Sequence, residues 1–288
     1  MLRDRYKVIV QTQWHGERAD AMVALHARRS ADSIEAFRRS HGHGLAVVLT
    51  GTDLYRDLPD SREAAHSIEI ADRLVVLQDD ALSMLAPQAR AKSTVIFQSA
   101  SALARRAKPR DRLDCVAVGH LRAEKDPRTV FRAWSLLPRE APIYMRHIGA
   151  PNDDELAAEA RLLARHDTRY RYAGALPHGL TRAAIAKAHL LVHPSIAEGG
   201  ANVIVEAVMS GTPVIASRIS GNVGMLGADY PGFFETGDAS GLAHCLVRAL
   251  ESRSFMQRLQ EGCSRRRALF APAKEKSAIC KVVAALLD

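Results

Sequence analysis

Residues 195–217 run SIAEGGANVIVEAVMSGTPVIAS, a glycine-rich loop with two glutamates between apolar segments. The strand candidate HLLVHPS runs into it, and a second, TPVIASR, closes it. Between them a helix is expected to begin near Ala201. Strand, glycine loop, helix, strand is the unit of a parallel sheet. Glu198 lies in the loop, and Glu206 lies four residues after Asn202, hence on the same helical face one turn further in. Gly199 and Gly200 let backbone amides approach a ligand closely, and a helix starting near Ala201 aims its positive end there. A phosphate or a sugar hydroxyl suits such a place. Glu206 can accept two hydrogen bonds from a ribose diol, and Glu198 can do the same for a sugar hydroxyl.

Working outward, short β-branched runs alternate with helical segments along the whole chain. The strand candidates are YKVIVQ, AMVALHA, LAVVLTG, RLVVLQD and STVIFQS in the first part. In the second they are LDCVAVG, PIYMRHIG, YRYAGAL, HLLVHPS, TPVIASR and GFFET. Helix starts are marked at Ser30, at Asp60 with Glu63 as a capping box, and at Asp126 before Pro127. The polar, basic segment SALARRAKPRDR (101–112), which holds the Arg105–Arg106 pair, is the linker candidate. The expected organisation is an acceptor-side Rossmann-like domain over 1–110 and a donor-binding Rossmann-like domain over 111–270. An amphipathic helix, 271–288, is expected to pack back toward the first. The class is α/β, two doubly wound parallel sheets facing a cleft. MLRDR reads as the tail of a helix, so the first domain is expected to lack its first strand–loop–helix unit.

In open parallel sheets, ligands bind beyond the carboxyl ends of the strands. That rule selects His26, Arg28 and Arg29 after one strand and Thr50, Gly51, Thr52, Asp53 and Arg56 after the next. In the second part it selects Gly119, His120, Arg122 and Lys125, then Ser195, Glu198, Gly199, Gly200, Ala201, Asn202 and Glu206. Lys125 and Arg122 suit a diphosphate. Two arginines beside a helix start suit an anionic acceptor, although Ser30 can equally cap that helix with both arginines solvated. Asp53 can be a turn-former, and His120 a satisfied histidine at the edge of the core.

Composition narrows the classes. The net charge is +8 and the pI about 9.6, yet the basic residues are scattered in short runs and aromatics are only 5%, which argues against a nucleic-acid surface. No run is long and apolar enough for a membrane span or a signal peptide, so a cytoplasmic location without integral membrane association is expected. Cys115, Cys245, Cys263 and Cys280 have no metal or disulfide spacing, and the twelve histidines form no metal pattern. No metal and no other cofactor is expected, because basic groups take the place of a cation.

With these residues in view, HPSIAEGGANVIVEAVMSGTPVIAS resembles the signature of family 4 retaining glycosyltransferases of the GT-B fold, and VGHLRAEKDP is similar to that family's diphosphate-gripping loop. His120 stands where an arginine is common, leaving Arg122 to supply the charge. This resemblance spans roughly residues 113 to 250. LHARRSADSIEAFR, VVLTGTDLYRDL, EGGANVIVEA and ASRISGNVGMLGADYPG together resemble the selenosugar synthase subgroup of selenoneine biosynthesis. The resemblance implies transfer of a sugar from a UDP-sugar, UDP-N-acetylglucosamine, to selenophosphate. It implies Glu198, Lys125, Arg122 and His26 as the catalytic group and Gly119, His120, Ser195, Gly199 to Asn202 and Glu206 as donor contacts. His26, Arg28, Arg29, Thr50 to Asp53 and Arg56 would meet the acceptor. The rival readings are a family 4 transferase with a carbohydrate, lipid or thiol acceptor, and a nucleotide-sugar-binding module without turnover. Sequence leaves the oligomeric state open.

Overall fold

The computed structural model describes residues 1–58, 60–104 and 106–288, the side chain of Arg56 excepted. Arg105 and the Arg56 side chain, both singled out from sequence, therefore lie outside the described residues. The chain forms two compact units, one of Met1–Ser99, Glu198–Gly200 and Leu269–Asp288, the other of Ala100–Ala197 and Ala201–Ala268.

The first unit is built on a four-stranded parallel sheet in the order β1 (Met22–Leu25), β2 (Leu45–Leu49), β3 (Arg73–Val76), β4 (Ser93–Val95). The helices α1 (Ala31–His41), α2 (Arg62–Ile70) and α3 (Pro87–Ala91) form its crossovers. Every residue of β2 is buried, which is why LAVVL is apolar without alternation. Ile34 and Phe37 of α1 are fully enclosed against this sheet, with Trp14 edge-on to Phe37 at 5.5 Å.

The second unit holds a six-stranded parallel sheet in the order β10-β9-β8-β5-β6-β7. Its strands are β5 (Leu113–Val118), β6 (Ile143–Ile148), β7 (Tyr170–Tyr172), β8 (Leu190–His193), β9 (Val214–Ser217) and β10 (Phe233–Phe234). Around it lie α4 (Pro127–Leu136), α5 (Asp154–His166), α6 (His178–Lys187), α7 (Asn202–Met209), α8 (Ser220–Leu226), α9 (Ala239–Glu251) and α10 (Arg253–Arg266). From β5 the chain moves outward through β6 and β7, then returns to pair β8 on the other side of β5, Ala117 opposite Val192. The order reverses there, so the crevice at the carboxyl ends of β5 and β8 is where this topology accepts ligands. At the far end of the sheet Tyr230 Oη donates to Val214 O at 2.6 Å and accepts from Val214 N at 3.1 Å. A Cβ on Gly232 or Gly262 would lie 2.6 Å from that ring, so only glycine admits it. The chain then returns to the first unit through α11 (Pro272–Leu287), whose Val282 and Leu286 pack with Ala46, Val48, Val75 and Ile96.

Four local expectations change. YKVIVQ is not a strand. β1 pairs only with β2 among the described residues, and Ile9 and Val10 are 56% and 80% exposed, because an apolar pattern makes no strand without a ladder partner. MLRDR is one turn closed by Tyr6 N to Leu2 O at 3.0 Å, not a helix tail. Ser30 does not cap α1 with its side chain; its Oγ donates to Leu25 O at 2.7 Å and ties the turn to β1 instead. One residue along from the expected Asp60, Ser61 caps α2, accepting from Ala64 N and donating to Glu63. Asp126 caps α4 as expected, accepting from the backbone and hydroxyl of Thr129, with Pro127 at the first position.

Candidate functional site

Two loops meet at the reversal point of the second unit. After β5, Gly119 is held by its amide to Ile148 O at 2.9 Å, and the buried Leu121 anchors the loop to Ala150 O. The aliphatic stem of Lys125 lies across Gly119, where a Cβ would sit 3.4 Å from Lys125 Cγ. Gly149 faces Gly119 so closely that any side chain would strike the Gly119 carbonyl. His120 is exposed, and its Nδ1 accepts from the Ala150 amide at 3.0 Å. An acceptor nitrogen carries no hydrogen, so the hydrogen of the neutral ring is on Nε2, which can donate to an anion. Arg122 is exposed and Lys125 half-buried on the turn Ala123–Lys125.

The loop after β8 is fastened to that turn by Ile196 N to Glu124 O at 3.0 Å. Ser195 is fully buried; its carbonyl accepts from Ser217 Oγ at 2.5 Å, and Ser217 accepts from Asn222 Nδ2 at both oxygens. Among the described residues, Ser195 Oγ and Asn222 Oδ1 remain without hydrogen-bond partners although buried. Helix α7 then opens at Asn202 behind Ala201, and no side chain caps it. Glu206, one turn in, is 12% exposed and accepts from His178 Nε2 at 2.5 Å. The structure thus brings Gly119, His120, Arg122, Lys125 and Ser195 to one crevice and sets Ala201, Asn202 and Glu206 on the helix that follows it.

Glu198, Gly199 and Gly200 belong to the first unit. Gly199 lies backbone to backbone on Gly51, and a Cβ on either would run into the other's main chain. A Cβ on Gly200 would come within 2.8 Å of Leu77 Cβ. These glycines therefore serve loop packing. That requirement is additional to any approach of a ligand.

In the same unit Asp53 is fully buried and accepts four hydrogen bonds. Oδ1 takes Ala27 N at 2.8 Å and lies 2.7 Å from His26 Nδ1; Oδ2 takes Thr50 N at 2.7 Å and Thr50 Oγ1 at 2.9 Å. The Arg29 amide also approaches Nδ1, at 3.2 Å, but a nitrogen 2.7 Å from a carboxylate oxygen has to carry the shared hydrogen, so Nδ1 is the donor. His26 has φ +78°, the left-handed region, and its buried Nε2 has no hydrogen-bond partner among the described residues, with Asp57 Oδ2 3.6 Å away. Asp57 pairs with Arg28 at 3.0 Å, while Arg28 and Arg29 are exposed. Thr52 precedes a π-helical segment, Asp53–Asp57. Among the described residues His26, Asp53 and Asp57 have metal-ligand atoms within 4.8 Å of one another. Asp53, however, has both oxygens engaged and Asp57 is already opposed by a guanidinium, so the group is a hydrogen-bonded lock between the loops after β1 and β2.

Sequence reasoning missed His178, Asn222 and Ser217. His178 lies beyond the carboxyl end of β7, so the strand-end rule applied throughout the chain would have found it. Asn222 lies in a helix, and nothing in SGNVG announces a buried side chain.

Residues 112–252 match the family model described as Glycosyl transferases group 1. That segment carries a glycosyltransferase group 1 domain, and the chain has the GT-B fold of the solved glycosyltransferases it superposes on. Anabaena HepE, solved with UDP and glucose, superposes with a TM-score of 0.70 at 15% identity, covering 92% of this chain and 78% of that one. Sucrose-phosphate synthase from Thermosynechococcus elongatus gives 0.75 at 19%, over 92% and 73%. The UDP-forming α,α-trehalose-phosphate synthase from Burkholderia xenovorans, solved with glucose-6-phosphate, gives 0.74 at 13%, over 94% and 74%. No curated protein matches the chain in sequence. No helix among the described residues is long and apolar enough to cross a membrane.

Proposed function

We propose that this glycosyltransferase transfers a sugar from a UDP-sugar, UDP-N-acetylglucosamine, to selenophosphate, forming a selenosugar for selenoneine biosynthesis in the cytoplasm. The observation that carries the donor half is the fastening of the Lys125 turn to the Ser195 loop, with Glu206 one turn into the helix that follows. Cations at the crevice neutralise a diphosphate, and a carboxylate on the helix takes the ribose diol. HepE, solved with UDP and with UDP-glucose, supports that reading. In this assignment Glu206 holds ribose, Lys125, Arg122 and the His120 Nε2–H hold the diphosphate, and Glu198 with the Gly199 to Asn202 segment holds the sugar. Lysine and arginine take the part of a metal ion.

The acceptor half rests on the sequence resemblance and on the exposed pair Arg28 and Arg29, with Arg56 of the same loop cluster. His26 and Asp53 are buried, and their part is to hold Thr50 and the arginine-bearing turn in place. Selenium of selenophosphate is already an anionic nucleophile. Its lone pair forms the bond to the anomeric carbon as the bond from that carbon to the diphosphate oxygen breaks, and UDP leaves with the electron pair. Stabilising the departing diphosphate and orienting the acceptor are the two catalytic contributions. The test is incubation with selenophosphate and each of several UDP-sugars, followed by product mass. A selenium-containing sugar phosphate formed from UDP-N-acetylglucosamine is expected. Release of UDP only with a carbohydrate, lipid or thiol acceptor overturns the acceptor assignment, and binding of UDP without turnover on any acceptor overturns the activity.

A further inference from the structure

We propose that His178 is a positioning residue of the nucleoside site, pinning the Glu206 carboxylate so that it discriminates a ribose diol from a deoxyribose. This deepens the reading above and rests on the assignment of Glu206 to ribose. His178 is the first residue of α6, and its ring is 74% exposed, whereas Glu206 is 12% exposed and projects from α7. Their contact, 2.5 Å from Nε2 to Oε1, is short for a nitrogen–oxygen pair. An exposed histidine and an exposed glutamate would form an ordinary surface pair of little consequence. Here one partner is largely enclosed, and among the described residues its carboxylate has no side-chain hydrogen bond or ion pair except that to His178, so the histidine fixes which way the carboxylate turns.

The backbone carrying His178 is itself held. Pro177 O accepts from both Leu180 N and Thr181 N, and the preceding loop is tied to the end of β6 by Gly149 N to Gly174 O at 2.9 Å. The ring is thus an exposed side chain on a fixed main chain, which suits orientation of a neighbour. A carboxylate oxygen has two lone pairs. His178 occupies one on Oε1, leaving the second and both on Oε2 for two hydroxyl donors. A carboxylate held in that plane loses a full hydrogen bond when one hydroxyl is missing; an unpinned one turns to optimise the single bond that remains.

The experiment is calorimetric titration of UDP and 2′-deoxy-UDP into the full chain, the Glu206→Ala, His178→Ala and His178→Gln variants. His178→Ala is expected to weaken UDP about fivefold and to shrink the UDP to 2′-deoxy-UDP preference about threefold, and His178→Gln, whose amide still donates, to restore most of both. If Glu206→Ala weakens UDP binding strongly while His178→Ala binds UDP as tightly as wild type or tighter, or weakens both nucleotides equally, the positioning role falls and the ribose assignment stands. If Glu206→Ala binds UDP normally, the ribose assignment falls first. Thermal melting of each variant separates these outcomes from misfolding.

Discussion

Each unit contains a histidine set against a carboxylate, and the two pairs are built for different work. In the first unit His26 and Asp53 have side chains 8% and 0% exposed, and Asp53 spends its remaining lone pairs on Ala27 and Thr50. In the second, His178 is 74% exposed and Glu206 keeps lone pairs to offer. The chemistry of contact is the same. Burial and saturation make the first a fastener of two loops, and exposure makes the second a place where something else can bind.

The largest effect that can break this contrast is on stability. Asp53→Ala leaves the His26, Ala27 and Thr50 donors unsatisfied in the core, and a loss of about 3–5 kcal/mol in urea melts is expected; a change within the noise would show the lock to be idle. A third histidine sharpens the buried side. His147 accepts from or donates to Tyr170 Oη at 2.7 Å within the core, and burial pushes its pKa from 6.5 down to about 4. Between those two values the unfolded chain takes up a proton that the folded chain refuses, so stability is flat above pH 6.5 and falls as the pH drops toward 4. The slope approaches about 1.4 kcal/mol per pH unit, or up to about 3 kcal/mol in all. His147→Gln should flatten that part of a pH-resolved melting series; a wild-type slope in the variant would reject the assignment. On the binding side, Glu206→Ala is expected to cost about 2–3 kcal/mol of UDP affinity by calorimetry, with the melt nearly unchanged. Smallest, Arg28→Ala should lower turnover with selenophosphate a few-fold through a screened, exposed charge, and leave UDP binding intact. Equal turnover would return Arg28 to a partner of Asp57 alone.

Much of the scaffold was legible because continuous apolar runs such as 45–49 and 190–193 mark strands buried on both faces. The segment 6–11 reads the same way but is no strand, since β-branched residues report propensity and cannot report whether a neighbouring strand exists. The donor crevice was legible for a similar reason: strand ends and glycines are local signals. His178 follows a strand end and was open to the same rule, but the contact that makes it matter reaches across 28 residues to Glu206, and Asn222 is marked only by its burial against Ser217. Gly199 shows a third kind of gap. Its freedom was read toward a ligand, whereas the structure also uses it against Gly51, a partner that no local pattern names.

The four cysteines are all free and buried, Cys280 on the last helix within the first unit and Cys115, Cys245 and Cys263 within the second. A thiol reagent reaches none of them until the surrounding structure opens. Labelling kinetics on single-cysteine versions would therefore time the breathing of each half of the enzyme separately, and would show which half a bound nucleotide quiets.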